Sequence, residues 1–327
     1  MLLANVPFIP ELFLSYQQEI NQNKSGFFRS GIIAMNDAVS SEFAKGGRTI
    51  TIPHFNDLSG ASEILSDVTG LTAAVIGGNT QIGVRSLRGR AWQSSDLAAE
   101  LAGDDPMLAI ARRTGEYWVR DTQTVMIQIL TGIFGSGGPL VSTHVVGGNS
   151  TALTASVMID SIARLGDAGQ DLGAVAMHSA PYYKLIKEDL IIPSGQTAQI
   201  DSRISSERAE FGTYLGRPVI VDDSLPVAVG AGTGSTNVYD IYFFAAGALV
   251  YSEILPKTPV ETDRDVLRGV EVLVNRKEYM MHPVGLSWTG AAAGNSPTNA
   301  ELATAANWTK VFTDNRNIKM INLKAFV

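Results

Sequence analysis

A chain of 327 residues that is 45% hydrophobic and 17% charged can bury a sizeable core, and its length suggests about two domains. It has no cysteine, which excludes disulfides, thiolate nucleophiles and every cysteine-containing zinc site. Its formal net charge of -7 argues against a surface that wraps nucleic acid by neutralising phosphates, which needs clustered lysine and arginine.

Before Lys24 there is no basic residue, and Glu11 interrupts the first apolar stretch, so the start does not match a secretory signal and a cytoplasmic origin is expected. Leu12, Phe13, Tyr16 and Ile20 fall at helical spacing, predicting a short helix on an arm that Gly26 ends. From Arg48 to Trp92 the pattern becomes strand-like alternation around loops rich in Gly, Asn and Asp, with too few large apolar side chains for a core of its own.

The strongest helical signal follows. Asp104 or Asp105 can cap, Pro106 suits the first helical position, and Gly135 stands just past the end. Met107, Ile110, Ala111, Trp118, Val125, Ile129 and Ile133 make one stripe, while Arg112, Arg113, Glu116, Arg120 and Gln128 fall elsewhere. A helix of about 28 residues is about 42 Å long, which suits a spine better than a compact domain.

Beyond it, Ser150 to Leu165 reads as helix, "LGAVAMHSAPYYKLIKEDLII" as strand then helix, and "RPVIVDD" as strand. "DIYFFAAGALVYSE" reads as a buried strand or pair, and "GVEVLVNRKEYMMHPVGLSW" as a long hairpin or strand pair. The longest apolar run, Phe243 to Tyr251, is far short of the roughly 20 residues that span a bilayer, so no transmembrane helix is expected. The tail from Asn295 begins as a turn and short helix and ends in "IKMINLKAFV", an expected edge strand. No fixed-period repeat is present, which removes solenoids and propellers.

Asp222 and Asp223 stand side by side at the end of an apolar strand. They could hold a divalent metal or share a proton, which requires further ligands on rigid elements. The simpler reading is a turn in which aspartate bonds nearby backbone and Pro226 stops the strand. His54, His144, His178 and His282 show no HExxH or HxH spacing and read as single satisfied histidines. A metal-dependent hydrolase using Asp222, Asp223 and His282 is the alternative from a different functional class. Gly230 to Asn237 looks like a phosphate cradle, but a strand rather than a helix follows, so it reads as a hairpin loop. The four tryptophans suit core or interface packing. Arg85, Arg88 and Arg90 form a compact cationic cluster in a region with no lysine from Gly46 to Tyr183. Guanidinium forks suit carboxylates across an interface; a solvated face is the other reading.

An ordered set of segments, "FFRSGII", "GGRTITIPHFNDLSG", "RGRAWQSSDLAAELAGDDPM", "YWVRDTQTVMIQILTGIF", "AVAMHSAPYYKL", "GRPVIVDDSLP", "ETDRDVLRGVEVLVNRKEYMMHPVGLSW" and "NSPTNAELATAANW", resembles the major capsid proteins of tailed bacteriophages, which have the Hong Kong 97 phage fold. The resemblance implies an α+β fold with an N-arm over 1–47, an extended E-loop over 48–92, and a P-domain with its spine helix over 93–139. It further implies an A-domain over 140–255, then return strands and a C-terminal tail over 256–327. The implied function is a structural subunit, not an enzyme and without cofactor or metal, that forms pentamers and hexamers of an icosahedral shell enclosing double-stranded DNA. The expected place is the virion, after assembly in the host bacterial cytoplasm; an encapsulin-type compartment shell is the alternative within the fold.

The implied partners are further copies of the chain, a separate scaffolding protein, since Met1 leads directly into the arm helix, a portal and a cement protein, with no membrane. Some relatives join an E-loop lysine to a neighbour's asparagine; this E-loop has no lysine, so that cross-link is not expected. Arg85, Arg88, Arg90 and Trp92 are the candidate inter-subunit contacts, on the returning strand of the E-loop.

Overall fold

The computed structural model describes residues 26–191 and 212–327, apart from 36, 57, 59, 66, 68, 69, 98, 99 and 101–105. The arm helix expected around Leu12 to Ile20 and the Asp104 or Asp105 cap lie outside these residues. Gly26, the first described residue, is itself helical: α1 is Gly26–Arg29, with Phe27 buried. A Cβ at Gly26 would stand 3.1 Å from Ile220 Cγ2, so the missing side chain serves close packing.

After α1 come β1 (Ile33–Met35), α2 (Asp37–Ala44), β2 (Thr49–Phe55), β3 (Gly78–Ser95) and α3 (Pro106–Phe134). The long helix is therefore present, with 29 residues and a length of about 43 Å. Gly135 follows it, its N–H closing on the Thr131 carbonyl at 2.8 Å. Next are β4 (Val145–Ala152), α4 (Ala155–Ala163), β5 (Leu172–Met177), α5 (Ser179–Lys187), β6 (Thr213–Tyr214), β7 (Arg217–Val221), β8 (Val227–Ala228) and β9 (Val238–Ala245). The chain closes with β10 (Leu249–Ile254), β11 (Val260–Asp265), β12 (Val270–Pro283), β13 (Leu286–Trp288), α6 (Asn299–Ala303), β14 (Trp308–Lys310) and β15 (Met320–Phe326).

Two larger sheets result. The first has the order β1-β10-β12-β3-β2, with β11 also on β12; the second has the order β4-β15-β9-β5-β7-β6, with β8 on β9. α3 serves both. Its Val125, Met126, Ile129, Leu130 and Ile133 are buried in one core with Tyr251 and Tyr279 of the first sheet and Ala174, Tyr242 and Phe244 of the second. The opposite face of the second sheet, with Val175, Phe243 and Leu323, is closed by Met158 and Ile162 of α4 and Leu185 of α5. A helix with apolar contacts to two sheets must be long, which explains the spine.

Three expectations change. "DIYFFAAGALVYSE" is two strands in different sheets: the chain leaves the second sheet at Ala245 and enters the first at Leu249. Gly247, at φ 69°, makes the turn and donates its N–H to the Gly31 carbonyl at 2.9 Å. The final strand β15 is interior, parallel to β4 and antiparallel to β9, because Ile321, Asn322 and Leu323 are buried on both faces of the pleat. The long segment from Val270 to Trp288 is two strands that do not pair with each other: β12 forms a hairpin with the preceding β11, and β13 pairs with β14. Among the described residues no helix is long and apolar enough to cross a membrane.

Candidate inter-subunit surface

β3 has two partners along its length. From Gly78 to Val84 it pairs with β2, and from Arg85 to Ser95 it pairs with β12. Arg85, Arg88, Arg90 and Trp92 therefore lie in the body of the first sheet, beyond the part of β3 that pairs with β2, where the sequence placed them. Strand alternation then divides the cluster. Arg85 forms an ion pair with Glu278 at 2.7 Å, lies over the Phe43 ring with its guanidinium carbon 4.5 Å from the centroid, and donates to the Phe43 carbonyl. Both charged side chains are mostly buried, so Arg85 is held within its own chain.

The even-numbered side chains turn toward α3. Trp92 meets Tyr117 edge to face at 5.2 Å, and Tyr117 in turn meets Trp118 at 5.3 Å. Arg88 donates to the Pro297 carbonyl at 3.0 Å. It also acts electrostatically on Asp121, whose carboxyl burial pushes above the usual range and whose ionised form Arg88 and Lys277 favour. Burial likewise raises the Tyr117 hydroxyl, with Asp121 adding to that and Arg90 opposing it. Arg90 itself is exposed.

Beneath this edge is a layer of buried charge. On β12 the odd residues Leu273, Asn275, Lys277 and Tyr279 are buried, the alternation of a strand with one face on a core. Asn275 accepts from the Trp118 indole at 2.5 Å. Lys277 Nζ stands 3.2 Å from Glu253 Oε2 on the neighbouring β10, and Tyr251 donates to the same oxygen at 2.5 Å. Burial pulls the Lys277 ammonium below its ordinary range, opposed by Glu253. Sequence reading missed this layer; its one signal was a lysine in strand register with Asn275 and Tyr279.

Asp222 and Asp223 turn the chain. Asp222 Oδ1 accepts from the Ser224 N–H at 2.9 Å and its hydroxyl at 2.5 Å, and Oδ2 accepts from the Gln123 amide on α3. Asp223 accepts from the Ser179 N–H at 2.9 Å, the first residue of α5. Hydrogen bonds from Ser179 hold its carboxyl below the usual range. The pair thus fastens the end of β7 to two helices. His282 is elsewhere, buried in the first sheet with Nε2 3.3 Å from Gln81 Oε1, so the three hydrolase residues are not brought together. Among the described residues no group of three or more His, Asp or Glu side chains could hold a metal ion. Replacing both aspartates by asparagine is expected to lower stability by less than about 1 kcal/mol, since an amide oxygen accepts these bonds nearly as well. Thermal melts check this, and a divalent-ion heat in calorimetry, present in wild type and absent in the variant, would overturn the turn reading.

Burial pushes the His282 imidazole down to about 4 from 6.5. Above 6.5 the ring is neutral in both folded and unfolded chains. As pH falls toward 4 the unfolded chain takes up the proton first, so stability falls. His282→Gln is expected to flatten the melting-temperature profile between those values.

Residues 230–237 form the expected loop in a hairpin, between β8 and β9, with Gly230 and Gly234 at positive φ.

A family model for Gp13-like proteins, described as Major capsid protein 13-like, matches residues 104–319. The chain is 37% identical to the major capsid protein of Bacillus phage SPP1 over 322 residues, covering 97% of this chain and 95% of that protein. The capsid of Ralstonia phage GP4 superposes with a TM-score of 0.62 at 10% identity, covering 86% of this chain and 84% of that one. The head structure of Helicobacter pylori bacteriophage KHP40 gives 0.54 at 10% identity, with 90% and 86% covered.

Proposed function

The chain belongs to the Gp13-like family of major capsid proteins, and from that premise we infer that its copies assemble as pentamers and hexamers around packaged double-stranded DNA. It is a structural subunit of a tailed-bacteriophage capsid with the Hong Kong 97-type fold, not an enzyme, and it resides in the virion. The end-to-end correspondence with a phage capsid protein carries this reading and favours a phage head over an encapsulin-type compartment.

The fold supports an assignment of parts. We propose the first sheet with α3 as the peripheral domain, the second sheet as the axial domain, and the β2–β3 hairpin with its loop as the E-loop. Phe55, Leu58, Ile64, Leu65 and Val75 are all strongly exposed there, an apolar surface that a monomeric protein rarely leaves uncovered. Arg90 and Trp92 remain proposed inter-subunit contacts; Arg85 and Arg88 have partners within the chain. A closed head also needs an entry for DNA and a control on curvature, so a portal and a separate scaffolding protein are proposed partners, with assembly in the host cytoplasm.

Negative-stain microscopy of the chain co-expressed with its scaffold tests the reading. Closed shells of uniform size are expected, and dispersed subunits would overturn it. In hot detergent, mature shells should run as a single band at 34.9 kDa, because no lysine lies between Gly46 and Tyr183 to form an E-loop cross-link. A ladder of multiples after boiling would reveal a covalent bond of another kind.

A further inference from the structure

We propose that Lys277 and Glu253 are the reactant pair of an intrachain cross-link, an amide from the lysine Nζ to the glutamate Cδ that forms slowly within the folded subunit and ties β12 to β10. Lys277 Nζ stands 3.2 Å from Glu253 Oε2, and the two side chains are 0% and 4% exposed. Nζ and Glu253 Oε1 are both buried without a hydrogen-bond partner, while Oε2 accepts from the Tyr251 hydroxyl at 2.5 Å. Glu253 lies opposite Tyr279 in the β10–β12 ladder, so Lys277 reaches its carboxyl diagonally from the same face of the sheet. A nucleophile and an acyl carbon are thus held side by side on two paired strands.

In water an amine and a carboxylic acid stay apart as ions, because hydration favours the charges and a protonated amine has no free electron pair. Burial works against both. It penalises ammonium and carboxylate far more than a neutral amide, and it pulls the Lys277 ammonium below its ordinary range. Asp121 on α3 brings a second carboxyl close enough to act on Lys277, and its Oδ2 is buried without a hydrogen-bond partner. It takes a proton from Nζ and returns it to the leaving oxygen. The neutral Nζ attacks Cδ, and Oε2 carries the charge of the tetrahedral adduct under the Tyr251 hydroxyl. The Nζ–Cδ bond then replaces Cδ–Oε1. Two of the three ammonium protons depart with Oε1 as water and the third stays on the amide, so the step balances with no other reactant. The ion pair of the newly folded subunit is the starting state, and the bond adds no link between copies.

Intact-mass spectrometry of denatured subunits, followed by mapping of proteolytic fragments, tests this. Freshly refolded subunits are expected at the sequence mass, and subunits stored folded or taken from shells at that mass less one water. The map should place the loss in a branched peptide joining the Glu253 and Lys277 segments, with no tryptic cleavage after Lys277. Subunits stored in guanidinium chloride should keep the full mass, because only the fold brings the two groups together. Lys277→Arg, which keeps a cation, should abolish the loss, and Asp121→Asn should slow it by about a hundredfold. Full sequence mass in stored wild type overturns the proposal, as does a lost water that maps to other residues or persists in Lys277→Arg. None of these results bears on the capsid reading, which shell formation tests separately.

Discussion

Lys277→Ala is expected to destabilise the folded subunit by about 3–5 kcal/mol, the range for breaking a buried ion pair by removing one partner. The Lys277 side chain is 0% exposed and Glu253 is 4% exposed, so neither charge can turn to water when the other is lost. The Lys277 ammonium lies near the Tyr251 and Tyr279 rings, at 6.0 and 5.8 Å from their centroids. At 3.2 Å from Glu253 it is an ion pair without a well-aligned hydrogen bond, so charge attraction rather than directed bonding holds it. Removing it strands Glu253 and also leaves Asp121 with Arg88 as its remaining cationic neighbour. Lys277→Met with Glu253→Gln should recover most of the loss, because replacing both charges by groups of similar volume is often neutral. Denaturant unfolding of purified subunits measures all three. Equal stability of wild type and Lys277→Ala would mean that water reaches the layer.

The same residues show how much of the molecule could be read in the sequence. α3 was legible because capping chemistry, a stripe of constant hand and a closing glycine all agree over many turns. The role of Asp222 and Asp223 was legible because a strand, two aspartates, a serine and a proline are turn chemistry, and local hydrogen bonds decide such a site. The division of the arginine cluster was not legible for a local reason: spacing along the chain makes Arg85, Arg88 and Arg90 one group, but strand alternation puts Arg85 with Phe43 and Glu278 and leaves the other two toward α3. Arg113 and Arg120 were visible as helix positions away from the apolar stripe. Their meeting with Trp92 around one pocket is a tertiary contact between segments that no periodicity relates. Lys277 was beyond reach because its burial depends on Glu253 and Asp121, which come from different elements.

Gly132→Ala is expected to destabilise the subunit by about 3 kcal/mol, against the usual direction for glycine inside a helix. Within an exposed helix that substitution gains up to about 1 kcal/mol by restricting the unfolded chain. Here the added Cβ would stand 2.3 Å from the Leu302 carbonyl oxygen and 2.8 Å from Trp308 Nε1. Those two atoms are bonded to each other at 2.8 Å, so the hydrogen bond from indole to carbonyl runs directly over the glycine. The neighbours are poorly placed to give way. Leu302 belongs to α6, which a reciprocal capping box between Thr298 and Glu301 holds, and Trp308 packs edge to face on Trp288 at 5.2 Å. Overpacking of a tight core costs about 1–3 kcal/mol, and a lost hydrogen bond that leaves a buried donor adds about 1–3 kcal/mol more. The clash outweighs the gain in helix propensity, and α6 should lift from α3 with Leu302 and Trp308 gaining solvent. Tryptophan fluorescence during denaturant unfolding reports both changes. Gly148→Ala is the control, because a Cβ there meets nothing within 4 Å and should leave stability nearly unchanged. A Gly132→Ala variant as stable as wild type would show that α6 can withdraw without loss, and the close contact would then be a feature of fit rather than of stability.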